Sequence, residues 1–302
     1  MMTGKPFVSV VIPSYNSKAY IFQCLECIFN QSYPRELYEV IVVDNASTDD
    51  SPSIIKSFPV QYLYEPKKGP SAARNTGIRH ARGKYFLFID TDCLAGKDLI
   101  KTHIEAHLSF MKKNPAVKIV GGGIDGLNKN YWAMCDNFCS WYLNHPRLEP
   151  RIENRHLPTA NLSVDRCVFE KTGLFNEELR FGEDSMFCRQ ARENGYLIYF
   201  EPKAVVRHIN RTSFKHFMSH AKEWSEVGKY SELETIDNKP VKINSPVLVV
   251  LYNIYYFFFR FVQLSYAWLS KGKLSFVLCL PGVLLNKIYF GFHMVKARYY
   301  DG

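Results

Sequence analysis

With 302 residues, 47% hydrophobic and 22% charged, the chain is long enough for one sizeable catalytic domain plus an appendage, and its composition excludes a largely disordered protein. The formal charge of +9 is concentrated at one end, where residues 241–302 hold seven Lys or Arg against Asp301 alone. Basic charge interleaved with aromatics, without any nucleic-acid-binding motif, points to an anionic membrane surface and away from nucleic acid.

The opening Met1-Met2-Thr3-Gly4-Lys5-Pro6 lacks the apolar segment of a signal peptide, so the catalytic part is expected to face the cytoplasm. Eight cysteines are scattered along the chain. Cys24 and Cys27 fall inside a helical pattern without the second pair a zinc site needs, and the expectation is small core residues in a reducing compartment.

Phe7 to Ile12 reads as a strand ended by Pro13-Ser14-Tyr15-Asn16, after which Ile21, Leu25, Ile28 and Phe29 recur at helical spacing. Val40 to Val43 is a second strand, closed by Asp44 and the polar turn Asn45 to Asp50. Strand, helix, strand, each strand ending in a polar loop, is the cadence of a parallel βαβ sheet. A third strand, Val60 to Tyr64, leads into Gly69-Pro70-Ser71-Ala72-Ala73-Arg74-Asn75. Here the free amides of a helix N-terminus could face a phosphate, with Arg74 one turn further in.

That helix delivers the chain to Tyr85-Phe86-Leu87-Phe88-Ile89-Asp90-Thr91-Asp92-Cys93, an apolar run ending in two carboxylates. Alternate residues of a strand share a face, so Asp90 and Asp92 can point the same way. Two hard oxygen donors there suit Mg²⁺ or Mn²⁺, particularly an ion that also takes oxygens from a bound diphosphate.

Val10 to Asn16, Val42 to Asp49, Gly69 to Asn75 and Asp90-Thr91-Asp92 together resemble the ordered signatures of family-2 glycosyltransferases. These are inverting enzymes of the GT-A fold that use nucleotide-activated sugars. The resemblance implies that Asp44 accepts a hydrogen bond from the base and that Pro13 to Tyr15 wall the base pocket. Asn16, Ser71 and Thr91 would belong to the same nucleotide-sugar site, and Arg74 would meet the nucleotide or its diphosphate. Asp90 would reach the ribose or metal side, with Asp92 the firmer metal ligand.

Further on, Leu99, Ile100, Ile104, Leu108 and Met111 mark the apolar face of a helix over 98–113, and a strand follows around Val117 to Val120. Gly121-Gly122-Gly123 suits either a close approach to a ligand or a plain turn. Between Asn128 and Arg155 the pattern dissolves into aromatic and polar residues, including Trp141, where an acceptor site is expected. Asn161 and then Glu183-Asp184 are similar to the family's acceptor side. The resemblance implies Asp184 as the base that takes the acceptor's proton, with Glu183 as its positioning partner. His208, after a short apolar run, would complete the metal shell, an acceptable role for imidazole on Mn²⁺ and a poorer one on Mg²⁺.

From Pro246 the composition turns apolar and aromatic: Val247 to Leu269, then Leu274 to Val295. Asn253, Tyr256, Arg260 and Gln263 form one polar stripe, and Asn286, Tyr289, His293 and Lys296 repeat it. With an Arg mid-segment and Pro281-Gly282 breaking the second run, helices lying in the membrane interface are expected; a transmembrane hairpin or a dimer interface are the alternatives.

The combined expectation is an α/β GT-A domain over 1–240, its donor half at about 1–125 and its acceptor half at 126–240, with a membrane-associated helical segment at 241–302. It would transfer a sugar with inversion from a nucleotide diphosphate sugar, UDP-linked first, to a saccharide or lipid-linked hydroxyl acceptor at the cytoplasmic membrane face. The alternatives are a polyprenyl-phosphate glycosyl synthase and a non-catalytic sugar-nucleotide-binding protein.

Overall fold

The computed structural model describes residues 4–127, 129–179, 181–225, 233–234, 240–241 and 246–299. The chain runs β1 (Val8–Ser14), α1 (Ile21–Phe29), β2 (Tyr38–Asp44), α2 (Ser51–Lys56), β3 (Gln61–Tyr64), α3 (Pro70–His80), β4 (Tyr85–Ile89), β5 (Cys93–Ala95), α4 (Leu99–Lys113) and β6 (Val117–Gly126). It continues through α5 (Tyr131–Ser140), β7 (Arg151–Glu153), β8 (Asn161–Asp165), α6 (Arg166–Thr172), α7 (Glu183–Glu193), β9 (Leu197–His208) and α8 (Phe214–Ser225). After two short strands, Leu233–Glu234 and Pro240–Val241, come α9 (Pro246–Leu269) and α10 (Ser275–Tyr299).

Two compact units result, one from residues 1–125 with 144–208, the other from 126–143 with 209–302. The first holds a mixed sheet in the order β3-β2-β1-β4-β8-β6-β9-β5, with β7 beside β9. β3, β2, β1 and β4 run parallel; β4 with β8, β8 with β6, and β9 with β5 and β7 are antiparallel. The parallel half follows from the βαβ cadence of the first ninety residues. Its strands β1, β2 and β4 are buried on both faces, which is why they read as unbroken apolar runs.

Under the sheet lies an aromatic cluster of Phe86, Phe88, Phe169, Phe175 and Phe187, with edge-to-face and stacked rings 4.7–5.9 Å apart. Phe175 and Phe187 thereby fix the approach to α7 and α7 itself to the strand that precedes Asp90.

Three expectations are corrected. Gly121 to Gly123 are neither turn nor ligand contact but the middle of β6, where a Cβ on Gly122 would stand 2.1 Å from the Ala204 carbonyl and 2.2 Å from Asn161 Nδ2. The buried face of α4 is Leu99, Ile100, His103, Ile104, Ala106 and His107, while Leu108 and Met111 are exposed. Residues 131–140, read as patternless, form α5, capped by the Asn130 side chain accepting from the Ala133 N–H at 2.9 Å.

The second unit packs Cys135 and Phe138 of α5, Phe217 of α8, Leu264 and Trp268 of α9, and Phe276, Cys279 and Val283 of α10 into its own core. The helical part therefore begins earlier than 241 and recruits α5, because α5 supplies one wall of this core. Pro281 lies inside α10 instead of ending it; the Gly282 N–H is taken by the Tyr131 hydroxyl at 3.2 Å. The side chains of Asn253, Tyr256 and Arg260, three of the first polar stripe, lie outside the described residues.

Candidate active site

β1 and β2 end in register, Ser14 opposite Asp44, so the loops that follow leave the sheet side by side. Each contains a non-glycine residue in the left-handed region, Asn16 at φ 47° and Ala46 at φ 58°. That conformation costs on the order of 1 kcal/mol or more and persists where surrounding contacts over-determine it. Those contacts are present. The Asn16 N–H donates to Ser47 Oγ (3.0 Å), Asn16 Oδ1 accepts from the Thr48 N–H (2.8 Å), and the Ser17 N–H donates to Ser51 Oγ (2.7 Å). Asn45 ties in the third loop, its Nδ2 donating to the carbonyls of Glu65 (3.0 Å) and Lys67 (2.7 Å) and its Oδ1 accepting from the Gly69 N–H (2.7 Å).

In this frame Asp44 is buried, accepting from the Ser47 N–H at 3.2 Å and the Tyr62 hydroxyl at 3.0 Å. Burial, with the Asp44 carboxylate, pushes the Tyr62 hydroxyl up to about 12. Tyr15 presents a ring that is 51% exposed, with Lys68 Nζ 5.8 Å from its centroid, and Pro13 is half-buried at the end of β1. Ser71, in the first turn of α3, buries its hydroxyl with no partner among the described residues.

Arg74, one turn into α3, is 3% exposed and joins two distant parts of the chain. Its Nη2 lies 2.8 Å from Asp90 Oδ1 and its Nη1 2.7 Å from Glu183 Oε1; Nε is buried without a partner among the described residues. Glu183 and Asp184 open α7 behind Gly182, whose φ of 76° a glycine adopts freely, and the Ser185 N–H donates to Asp184 Oδ1 at 2.7 Å. Burial pushes both carboxyls above the ordinary carboxylate range, and the Arg74 guanidinium opposes that rise in each. The arrangement is one buried cation among three carboxylates.

Asp90, Thr91 and Asp92 leave β4 as a turn, so the strand alternation expected for them does not apply. Asp90 turns to Arg74, while Asp92 Oδ2 lies 3.4 Å from His208 Nε2. Thr91 sits half-buried between them. The pairing of β5 with β9 explains the second contact, since Cys93 stands opposite His208 and carries Asp92 beside it. Asp92, Cys93 and His208 offer ligand atoms all within 4.8 Å of one another. Burial and the flanking aspartates keep the Cys93 thiol protonated, leaving a carboxylate oxygen and an imidazole nitrogen, a donor set that fits Mn²⁺ better than Mg²⁺.

Asn161 stands opposite Ile89, next to Asp90, but its side chain is engaged elsewhere. Its Nδ2 donates to the carbonyls of Gly123 (3.0 Å) and Ala204 (2.8 Å), and its Oδ1 pairs with His103 Nε2 (2.8 Å), so its polar capacity is spent inside the sheet. Trp141 belongs to the second unit, where its Nε1 donates to Asn210 Oδ1 at 3.2 Å. Sequence reasoning missed the buried chain in which Ser163 Oγ contacts His103 Nδ1 (2.9 Å) and His107 Nε2 (2.8 Å). The signal for it was the i, i+4 spacing of the two histidines on α4.

The profile of Glycosyl transferase family 2 matches residues 9–161, half of the chain, spanning β1 through the start of β8. The chain belongs to glycosyltransferase family 2. This family-2 chain is 30% identical to glycosyltransferase AglE of Haloferax volcanii over 218 residues, 70% of this chain and 69% of that one. It is 27% identical over 229 residues, 70% of each chain, to the dolichyl N-acetyl-α-D-glucosaminyl phosphate 3-β-D-2,3-diacetamido-2,3-dideoxy-β-D-glucuronosyltransferase of Methanococcus voltae. Its fold matches that of a Pyrobaculum calidifontis mannosyltransferase in complex with GDP-Man and Mn²⁺, at TM-score 0.62 and 18% identity over 99% of this chain and 88% of that one. It spans only 40% of the Staphylococcus aureus TarS chain, which it matches at TM-score 0.52 and 21% identity over 76% of its own length. The mixed sheet flanked by helices is thus the GT-A fold.

Proposed function

We propose that the chain transfers a sugar from a nucleotide diphosphate sugar to a hydroxyl of a lipid-linked saccharide or surface polysaccharide precursor, with inversion at the anomeric carbon. The observation that carries this reading is Arg74, which holds Asp90, beside the donor-side loops, and Glu183, beside Asp184, on one guanidinium. Donor activation and proton removal then take place within one crevice of the first unit.

Asp44 bears on the nucleotide. A carboxylate accepts from the ring N–H that uracil, thymine and guanine offer and that cytosine and adenine lack. UDP-sugars therefore head the donor set, with GDP- and dTDP-sugars behind them, and Tyr15 lies against the base. Asp92 and His208 would hold Mn²⁺ or Mg²⁺, which when bound neutralises charge growing on the departing diphosphate. The Ser71 hydroxyl and the α3 N-terminus offer donors to the same phosphates. Arg74, with both amino groups on carboxylates, acts as the charge that gathers the acids, a different role from the contact with the nucleotide or its diphosphate that the resemblance implied. Asp184 takes the acceptor's proton as its oxygen attacks opposite the leaving group, so a single displacement inverts the centre.

Attachment to the cytoplasmic face of a membrane, through α9 and α10, fits the same reading. Among the described residues one helix, Ser275–Ala297, is long and apolar enough to cross a bilayer, and the named activity of the Methanococcus relative involves a dolichyl-linked saccharide.

The test is nucleotide release from a panel of UDP-, GDP-, dTDP-, ADP- and CMP-sugars, with Mn²⁺ or Mg²⁺ and with chelator, on wild type and Asp184→Asn. Turnover is expected with the first three nucleotide classes, to fall at least about 10³-fold in Asp184→Asn, and to need the metal. Chelator-insensitive transfer would remove the ion from the reading, and an active Asp184→Asn would remove the base.

A further inference from the structure

Asn75 follows Arg74 on α3 and is 1% exposed. Its side chain spans a hundred residues of sequence: Nδ2 donates to the Phe175 carbonyl at 2.9 Å, and Oδ1 accepts from the Phe175 N–H at 3.0 Å. One amide thus satisfies both backbone groups of a single residue, as a neighbouring strand would. Nδ2 also donates to Glu177 Oε1 at 2.9 Å, and this contact leads the causes that hold the Glu177 carboxyl below its ordinary range. Lys67, just ahead of α3, and Arg79, in its last turn, reach the same carboxylate at 2.9 and 3.4 Å.

Consecutive helical residues point about 100° apart, so Arg74 and Asn75 reach different places from one turn. Arg74 grips Glu183, the first residue of α7, and Asn75 grips Phe175, where the chain approaches that helix. The segment entering α7 is held at both ends by one turn of α3. We propose that Asn75 is a positioning residue for transfer: by pairing with the Phe175 backbone it sets where Glu183 and Asp184 stand relative to the donor-side groups carried after β4. The inference rests on the reading of Asp184 as the acceptor-side base.

The side-chain chemistry is specific. Aspartate at 75 keeps the acceptor for the Phe175 N–H, loses the donor to its carbonyl, and sets a second negative charge against Glu177. Alanine loses everything and leaves the buried Phe175 N–H and carbonyl unpaired.

The experiment compares wild type, Asn75→Ala, Asn75→Asp, Asp184→Asn and Val40→Ala, a core truncation at the start of β2. UDP, GDP and dTDP are titrated calorimetrically with Mn²⁺, the one that binds wild type being carried to the variants, and turnover per folded molecule is measured at saturating donor. Hydrogen exchange is followed over 173–193. In both Asn75 variants kcat is expected to fall about 10–100-fold with nucleotide Kd within about twofold of wild type, a displacement effect on chemistry without loss of donor binding. Exchange at the entrance to α7 rises. Val40→Ala loses stability but keeps kcat per folded molecule and the exchange pattern over 173–193.

Asn75 variants with wild-type kcat and wild-type exchange would overturn the inference, as would a parallel loss of nucleotide affinity. An active Asp184→Asn would instead defeat the catalytic reading. If exchange rises in the Asn75 variants beside that result, the grip on Phe175 stands but has no base to place, and the proposal falls with the reading.

Discussion

His103 and His107 show how much a buried polar residue is decided by partners the sequence does not name. Asn161 uses its amino group on two carbonyls, so its oxygen must accept, which makes His103 Nε2 a donor and leaves Nδ1 to accept from Ser163. Both imidazoles are neutral in the fold: burial lowers His103 to about 4 and His107 to about 3. The unfolded chain takes up these protons first, near pH 6.5, so the stability they contribute is complete above that pH and is lost as pH falls through the window below it. Between pH 7 and 5.5 the pair should account for a loss of roughly 2–3 kcal/mol. Urea unfolding at the two pH values measures this, and His107→Gln should remove about half the difference; an unchanged slope would assign the sensitivity elsewhere. The i, i+4 spacing was visible in the sequence, but counting only apolar residues aimed the α4 face at Leu108 and Met111, which are exposed.

β6 and α7 differ in how far each could be read. The start of α7 was legible because Gly182 and two acids form a helix-entry pattern that needs no tertiary context. The three consecutive glycines of β6, Gly121 to Gly123, were not, because their purpose is the space they leave for Leu157, Asn161 and the carbonyls of Pro202 and Ala204, none of them near in sequence. Gly122→Ala would force a Cβ to 2.1 Å from the Ala204 carbonyl oxygen on β9, and the sheet cannot yield there without parting β6 from β9. A loss above about 3 kcal/mol is expected, read as a lower thermal midpoint or as insoluble protein. A soluble variant with wild-type melting would show that β6 tolerates displacement. The turn at Asp90 to Asp92 teaches the same lesson. Alternation along a strand was a sound rule applied past the strand's end at Ile89, and the two aspartates part toward Arg74 and His208.

Across the molecule, the βαβ cadence and the four ordered motifs made the first half of the fold readable, whereas the division into two units was not. Local pattern cannot report that α5, from residues 131–140, joins α8, α9 and α10 in a separate core. Within that unit Val247, Leu251, Ile254, Phe258, Val262, Tyr266 and Leu269 form an exposed apolar line along α9 at helical spacing, and Val277, Leu278, Leu285, Ile288 and Phe292 do so along α10. Exposed apolar faces of this length mark contact with a membrane or another protein, and Lys271, Lys273 and Lys287 on the same segment favour an anionic lipid surface. Cosedimentation with vesicles containing phosphatidylglycerol is therefore expected, weakened about tenfold or more by Phe258→Asp with Leu278→Asp, and reduced by salt. Equal binding by the double variant would point to a protein partner for these faces.

The stitching of the loops after β1, β2 and β3 by Asn16 and Asn45 has a consequence for engineering. Because the first loop borrows its shape from the second, and the second anchors the third through Gly69, no one of them can be exchanged alone with a homologue's loop. A graft into this region must carry all three as a single cassette, or the left-handed residues at 16 and 46 lose the contacts that hold them.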